Sequence, residues 1–209
     1  MKDSKEDQWQ FREMQNMILP AAAAPKFAIC LDPGHGGRDG GARSGGLEEA
    51  DLNLDIALRA RRILTPKYQV VLTRDGDVDL SLNGRVAVAD RARADLFVSI
   101  HINAANNPRA DGYEVFVRRD ASATSLLLAA GILMQFAKRW PTRRNRGLKY
   151  ANFVVVRQPR PACLVECFFL TNPADRTLLE TAQAREELGE AIAWGCGNFM
   201  TSVVTPEQP

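Results

Sequence analysis

Histidine is scarce in this chain, with two residues in 209, so chemistry that needs imidazole must use His35, His101 or both. Long apolar runs are missing too. No stretch approaches the ~20 residues needed to cross a bilayer, and no membrane span is expected. Neither sign of charge is in large excess, and a net charge of +2 gives no argument for a nucleic-acid partner. The four cysteines include no CxxC pair, which argues against a zinc-finger type of site. Cys163 and Cys167 share one apolar run, about 13 Å apart at ~3.3 Å per residue and beyond bonding reach of each other. Free buried thiols are expected, as in a protein folded in a reducing compartment. The start lacks the positive charge of a secretory leader: Lys2, Lys5 and Arg12 are outnumbered by Asp3, Glu6, Asp7 and Glu13. Met17–Ala24 is short and interrupted by Pro20. Residues 1–25 read as a polar appendage and Ala/Pro linker.

What is present is an ordinary globular composition, 45% apolar and 25% charged, enough for one well-buried core. Residues 26–202 read as a single domain, followed by a tail at 203–209. Short apolar runs predict strands at Phe27–Leu31, Tyr68–Thr73, Leu96–His101, Tyr113–Val117, Phe153–Val156 and Ala162–Phe168. Between them lie helical patterns. Glu49–Leu64 has its stripe at Leu52, Ile56, Ala60 and Ile63; Leu80–Ala94 at Leu82, Val86 and Ala89; Ser122–Trp140 at Leu126, Ala130, Leu133 and Ala137. Pro173 suits the first turn of a helix, and a last helix covers Ala184–Met200. Alternation of this kind predicts an α/β fold: one domain, a mostly parallel twisted sheet of about six strands, helices on both faces. Lys138–Lys149 reads as a basic loop, either solvated or attracted to an anionic polymer.

Three residues with useful chemistry close apolar runs. His35 follows Phe27–Leu31 within Pro33-Gly34-His35-Gly36-Gly37, His101 follows Leu96–Ile100, and Glu166 follows Ala162–Val165. In an open α/β sheet, sites form beyond the carboxyl ends of the strands, so the three are expected to share one. Each has a plainer reading: an exposed loop histidine, a hydrogen-bonded strand-end histidine, a carboxylate paired with one of many arginines. A catalytic zinc site needs about three protein ligands and an open position. Glu48 or Glu49, at the start of the helix after the first strand, could complete the set, and spacing alone leaves the choice open. Apolar wrapping around Glu166 would raise its pKa, as a proton carrier requires.

The segments LDPGHGG, GLEEADLNL, LTRDGDVDLSLNGR, LFVSIHINA and PACLVECFFLTNP, in this order, resemble the zinc-dependent N-acetylmuramoyl-L-alanine amidases of the family 3 type, over about Phe27 to Met200. The resemblance implies that residues 26–202 are a catalytic domain in which His35, Glu49 and His101 hold Zn²⁺ and Glu166 is the catalytic residue. Its register selects Glu49 over Glu48. Asn103 and Asp32 are further candidates for substrate contact or support of the ligands. The implied reaction is hydrolysis of the amide between N-acetylmuramic acid and L-alanine in peptidoglycan, by a monomer whose partner is the wall itself. Cys167 departs from the small or aliphatic residue expected there, and Arg157–Pro161 looks one residue short. No room is seen between Tyr113 and Glu166 for the inhibitory helix some relatives insert, which implies an open site. Action at the wall without a clear leader fits a phage-type lysin made in the cytoplasm, or an exported enzyme whose leader has been removed. The alternatives are a zinc carboxypeptidase on stem peptides and a non-catalytic wall-binding relative.

Overall fold

The structure, a computed structural model, describes residues 27–204; the expected appendage at 1–25 and the last five residues of the tail lie outside them. Among the described residues, eight strands alternate with five helices. They are β1 (Ala28–Pro33), β2 (Arg43–Ser44), β3 (Leu47–Glu48), α1 (Glu49–Leu64), β4 (Gln69–Leu72), α2 (Leu82–Arg91), β5 (Leu96–Asn103), β6 (Tyr113–Val117), α3 (Ala123–Arg139), β7 (Asn145–Tyr150), a 3₁₀ turn (Val154–Val156), β8 (Ala162–Phe169), α4 (Pro173–Glu180) and α5 (Ala182–Val204). Six strands form one sheet in the order β4-β1-β5-β8-β6-β7, and β2 and β3 form a small hairpin. The first four sheet strands run parallel. β6 is antiparallel to β8 and carries β7 parallel to itself. The expected single α/β domain with a mostly parallel six-stranded sheet is what forms.

Alternation along the strands divides the side chains between two cores. Ile29, Leu31, Val98, Ile100, Val115, Cys163 and Val165 join the larger core under α1, α3 and α5. Cys30, Phe97, Ala162 and Leu164 point the other way, into a smaller core closed by Ala89 of α2 and by Val155 and Val156. Strand residues on both faces are therefore apolar, the reason β1, β5 and β8 read as continuous apolar runs. Helix starts follow from local chemistry. Ser81 accepts a bond from the Gly84 amide at 3.1 Å, Ser122 one from Ser125 at 3.2 Å, and Asn172 caps α4 just before Pro173.

Four expectations need correction. Phe153–Val156 is not a strand: Val154–Val156 forms a 3₁₀ turn, because burial of Val155 and Val156 against α2 outweighs the β-preference of three valines. The missing strand is Asn145–Tyr150, which takes up the second half of the segment read as a basic loop and runs one residue past it. As a polar edge strand with Gly147 at a φ of 77°, it shows no alternation to detect. The buried stripe of α3 is also rotated: Leu128, Ala129, Ile132 and Phe136 are inside while Ala130 is exposed. That helix is apolar nearly all round, so its period does not select a face. In α2 the buried residues are Arg85 and Ala89, and Leu82 is 53% exposed.

The four cysteines are free and buried. Burial pushes the Cys30 and Cys196 thiols up to about 12 and those of Cys163 and Cys167 well above the ordinary range. All four are expected to react with a thiol reagent at neutral pH only after denaturation; labelling of the native protein tests this. The buried pair of Arg85 and Asp32, at 2.8 Å, should matter most to stability. Arg85→Met, which strands Asp32, is expected to cost about 3–5 kcal/mol in denaturant titration. Arg43→Met at the exposed Arg43–Glu48 pair should cost less than about 1 kcal/mol.

Candidate active site

The carboxyl ends of β1, β5 and β8 converge on one rim. From β1 the chain enters a loop in which His35 has a φ of 60°, a left-handed conformation beside glycine on each side. Gly34 is required for contact rather than for flexibility: a Cβ there would lie 2.2 Å from the His101 ring. The two imidazoles thereby stack edge to face, with centroids 4.9 Å apart.

Two buried arginines hold this turn by its carbonyls. Arg74 donates to Pro33 at 3.0 Å, to Gly34 at 2.9 Å and to Ala50 at 2.8 Å. Arg85 donates to the carbonyls of Pro33 and His35, both at 2.7 Å. Asp32, fully buried, is the counter-charge: it accepts from Arg85 at 2.8 Å, Thr73 at 2.5 Å and Ser99 at 2.7 Å. Asp32 lies beneath the loop as part of its support. Sequence reasoning did not single out the arginines, although both belong to LTRDGDVDLSLNGR; nothing marks a buried arginine among so many exposed ones.

Glu49, the first residue of α1, is nearly buried and meets both rings. Its Oε1 lies 3.2 Å from His35 Nε2 and 3.0 Å from His101 Nδ1, and accepts from the Ile102 amide at 3.1 Å. Oε2 accepts from the Ala42 amide at 2.9 Å. Burial would push this carboxyl up, but the bonds to His101 and His35 outweigh it and hold Glu49 well below the usual carboxylate range. The same bond draws His35 up to about 8, against burial and with help from Asp39. Asp39 Oδ2 sits 2.9 Å from His35 Nδ1 and turns Nε2 toward Glu49. Glu48 instead pairs with Arg43 on the hairpin.

One ligand atom from each of His35, Glu49 and His101 falls within 4.8 Å of the others. Two imidazole nitrogens and a carboxylate oxygen around one point are a donor set suited to zinc, and the residues present fit such an ion. His35 and His101 keep 24% and 18% of their side chains exposed, so the cluster is reachable from solvent.

Glu166 sits in register with His101 across β5 and β8. On its other side it is paired with Glu114 of β6, so His101, Glu166 and Glu114 form a row on one face of the sheet. Glu114 is nearly buried; it accepts a hydrogen bond from Asn103 at 2.8 Å and pairs with Arg146 at 3.0 Å. Oε2 of Glu166 is buried with no protein hydrogen-bond partner. Burial pushes the Glu166 carboxyl well above the usual range, and the charges of Glu49 and Glu114 add to this. Glu114 was not anticipated, because it sits inside an unremarkable strand and only the antiparallel pairing brings it to the site. His35, His101 and Glu166 all line a cavity of about 440 Å³ whose apolar wall includes Leu82, Phe153 and Val155.

Fold and site together define an α/β domain with a His-Glu-His cluster able to hold a cation at the carboxyl edge of its sheet and a buried carboxyl beside it. The sequence profile of the Amidase_3 family, N-acetylmuramoyl-L-alanine amidase, matches residues 29–198, and the chain belongs to this family. It is 40% identical over 174 residues to N-acetylmuramoyl-L-alanine amidase LytC of Bacillus subtilis, an alignment covering 82% of this chain and 35% of that protein. It is 36% identical over 181 residues to the endolysin of Bacillus phage SPP1, covering 82% of this chain and 65% of that protein. The chain thus spans about a third to two thirds of the length of these relatives. The crystal structure of N-acetylmuramoyl-L-alanine amidase from Clostridium difficile 630 superimposes with a TM-score of 0.82 at 34% identity, covering 86% of this chain and 99% of that one.

If Asp39 orients His35 as the geometry implies, Asp39→Ala should weaken divalent-cation binding about 10–100-fold. Calorimetric titration checks this, with Glu48→Gln, outside the cluster, expected to bind as the parent does.

Proposed function

We propose that the protein hydrolyses the amide joining the lactyl group of N-acetylmuramic acid to L-alanine in peptidoglycan, with Zn²⁺ held by His35, Glu49 and His101. The observation that carries this reading is the convergence of those three side chains within 4.8 Å, with Glu166 in register beside His101. Family membership supports the choice of substrate. When bound, the zinc ion supplies Lewis-acid chemistry, lowering the pKa of water and polarising the scissile carbonyl.

Glu166 is the proton carrier. Its carboxyl group, which lines the cavity, takes the proton from the attacking water and delivers it to the L-alanine nitrogen as the C–N bond breaks. The products are a lactyl carboxylic acid and a free amine. Burial serves this cycle, because a carboxyl raised well above its usual range both accepts and returns a proton near neutral pH. Asn103, held by Glu114, and the apolar wall at Leu82 and Phe153 flank the substrate path.

The segment Arg143–Lys149 contributes less to wall contact than its composition suggests. Arg143 turns to Asp175, Arg144 to Asp111 and Arg146 to Glu114, so the cavity at the cluster is the surface that takes the polymer. Among the described residues no helix is long and apolar enough to cross a membrane, and action on wall material follows from the substrate.

The deciding experiment is digestion of purified peptidoglycan with mass analysis of the products. Stem peptides with a free L-alanine amine are expected; release of a carboxyl-terminal amino acid instead would establish the carboxypeptidase alternative. Glu166→Gln should lower kcat about 10²–10⁴-fold while the zinc content, measured by atomic emission, stays at the parent value. Full activity of a zinc-loaded Glu166→Gln protein would remove Glu166 from the reaction. A chelator should abolish lysis, and added zinc should restore it.

A further inference from the structure

A strained residue lies two positions beyond the proposed proton carrier. Phe168 has a φ of 75°, a left-handed conformation that bulky residues rarely adopt. The strain coincides with an irregularity in the sheet. Pairing between β5 and β8 runs from His101–Glu166 to Asn103–Phe169, so β8 carries one more residue than β5 over this interval, a β-bulge.

The bulge decides which face receives the ring. On β8, Cys163, Val165 and Cys167 point into the larger core, and Ala162 and Leu164 into the smaller one. Strict alternation would send Phe168 to the same face as Leu164 and Glu166, against the proton carrier. Instead Phe168 follows Cys167 into the larger core and is fully buried there. Its ring packs edge-on to Trp140 at 5.1 Å and to Tyr113 at 6.1 Å. Phe169 then takes the position opposite Asn103, with the Arg146 guanidinium 4.9 Å from its ring.

We propose that Phe168 is a positioning residue for Glu166: its ring, wedged between Trp140 and Tyr113, locks the bulge that keeps the active-site face clear and fixes the Glu166 carboxyl beside His101. Strained backbone persists where its surroundings over-determine it, and the aromatic packing does so here. Loss of the ring lets the bulge relax toward regular pairing and moves Glu166. A misplacement of about 1 Å can cost on the order of 10²-fold in rate. The kinetic part of the test rests on the amidase reading above; the structural part does not.

The test compares the parent protein with Phe168→Ala and Phe168→Leu. Phe168→Ala is expected to lower kcat about 10–100-fold, with KM and zinc affinity within about twofold of the parent, because His35, Glu49 and His101 lie on other elements. Phe168→Leu, which refills part of the space, should fall between. A crystal structure of Phe168→Ala should show the Glu166 carboxyl displaced and the three ligands in place. Parent-like kcat in folded Phe168→Ala, or a loss shared by kcat, KM and zinc affinity, would overturn the proposal. Should Phe168→Ala fail to fold, Phe168→Leu and Trp140→Leu decide: a loss confined to kcat supports the role, and parent kcat removes it. An inactive parent would sink the amidase reading alone, and the position of Glu166 in the variant crystal would still settle the role of Phe168.

Discussion

One carboxylate oxygen ties the site together. Oε1 of Glu49 receives His35 from the loop after β1, His101 from β5 and the Ile102 amide, while Oε2 holds the Ala42 amide. Three separate stretches of chain are drawn to one point at the start of α1. A nearly buried carboxylate is costly unless its lone pairs are used, and here they are used by the groups that would surround a cation. Placement at a helix N-terminus adds a favourable dipole. The ligand set and the local fold are in this sense one structure.

That point is held still by groups that do no chemistry. Arg74 and Arg85 satisfy carbonyls of the Pro33–His35 turn, and Asp32 balances the charge of Arg85 from within the sheet. The turn cannot rely on regular secondary structure for its hydrogen bonds, and buried carbonyls without partners would be costly. Guanidinium groups suit this task because one side chain offers several fixed donors. Asp32 therefore contributes to the site through the backbone it supports.

The mixed sheet adds the second half of the site. A wholly parallel arrangement would not set Glu114 opposite Glu166; the antiparallel β6 does, and completes the row with His101. Two neighbouring carboxylates differ because their surroundings differ. Glu114 has Asn103 and Arg146, whereas Oε2 of Glu166 has no protein donor. Glu114 is a hydrogen-bonded, arginine-paired support, and Glu166 is the carboxyl that burial raises.

Much of this was legible in order along the chain. Apolar runs marked β1, β5 and β8 as buried strands and put His35, His101 and Glu166 toward their carboxyl ends, although β5 continues to Asn103 and β8 to Phe169; α1 begins and ends where its period and charges said it would, because burial on both sheet faces and on one helix stripe leaves a strong pattern. The edge strand β7 and the rotation of α3 left no such pattern, the first because its residues are polar, the second because apolar residues surround the helix. Choosing Glu49 over Glu48 needed either the family register or the coordinates, since adjacent residues at a helix start differ only in where they point. By itself, the sequence determined which side chains could do chemistry and that they belong to the carboxyl-terminal halves of buried strands or the loop just beyond one. Only the tertiary structure decided that the sheet turns antiparallel at β6, that Phe168 leaves the active-site face, and that Arg74 and Arg85 face inward. Those outcomes depend on contacts between residues distant in sequence, which no local periodicity records.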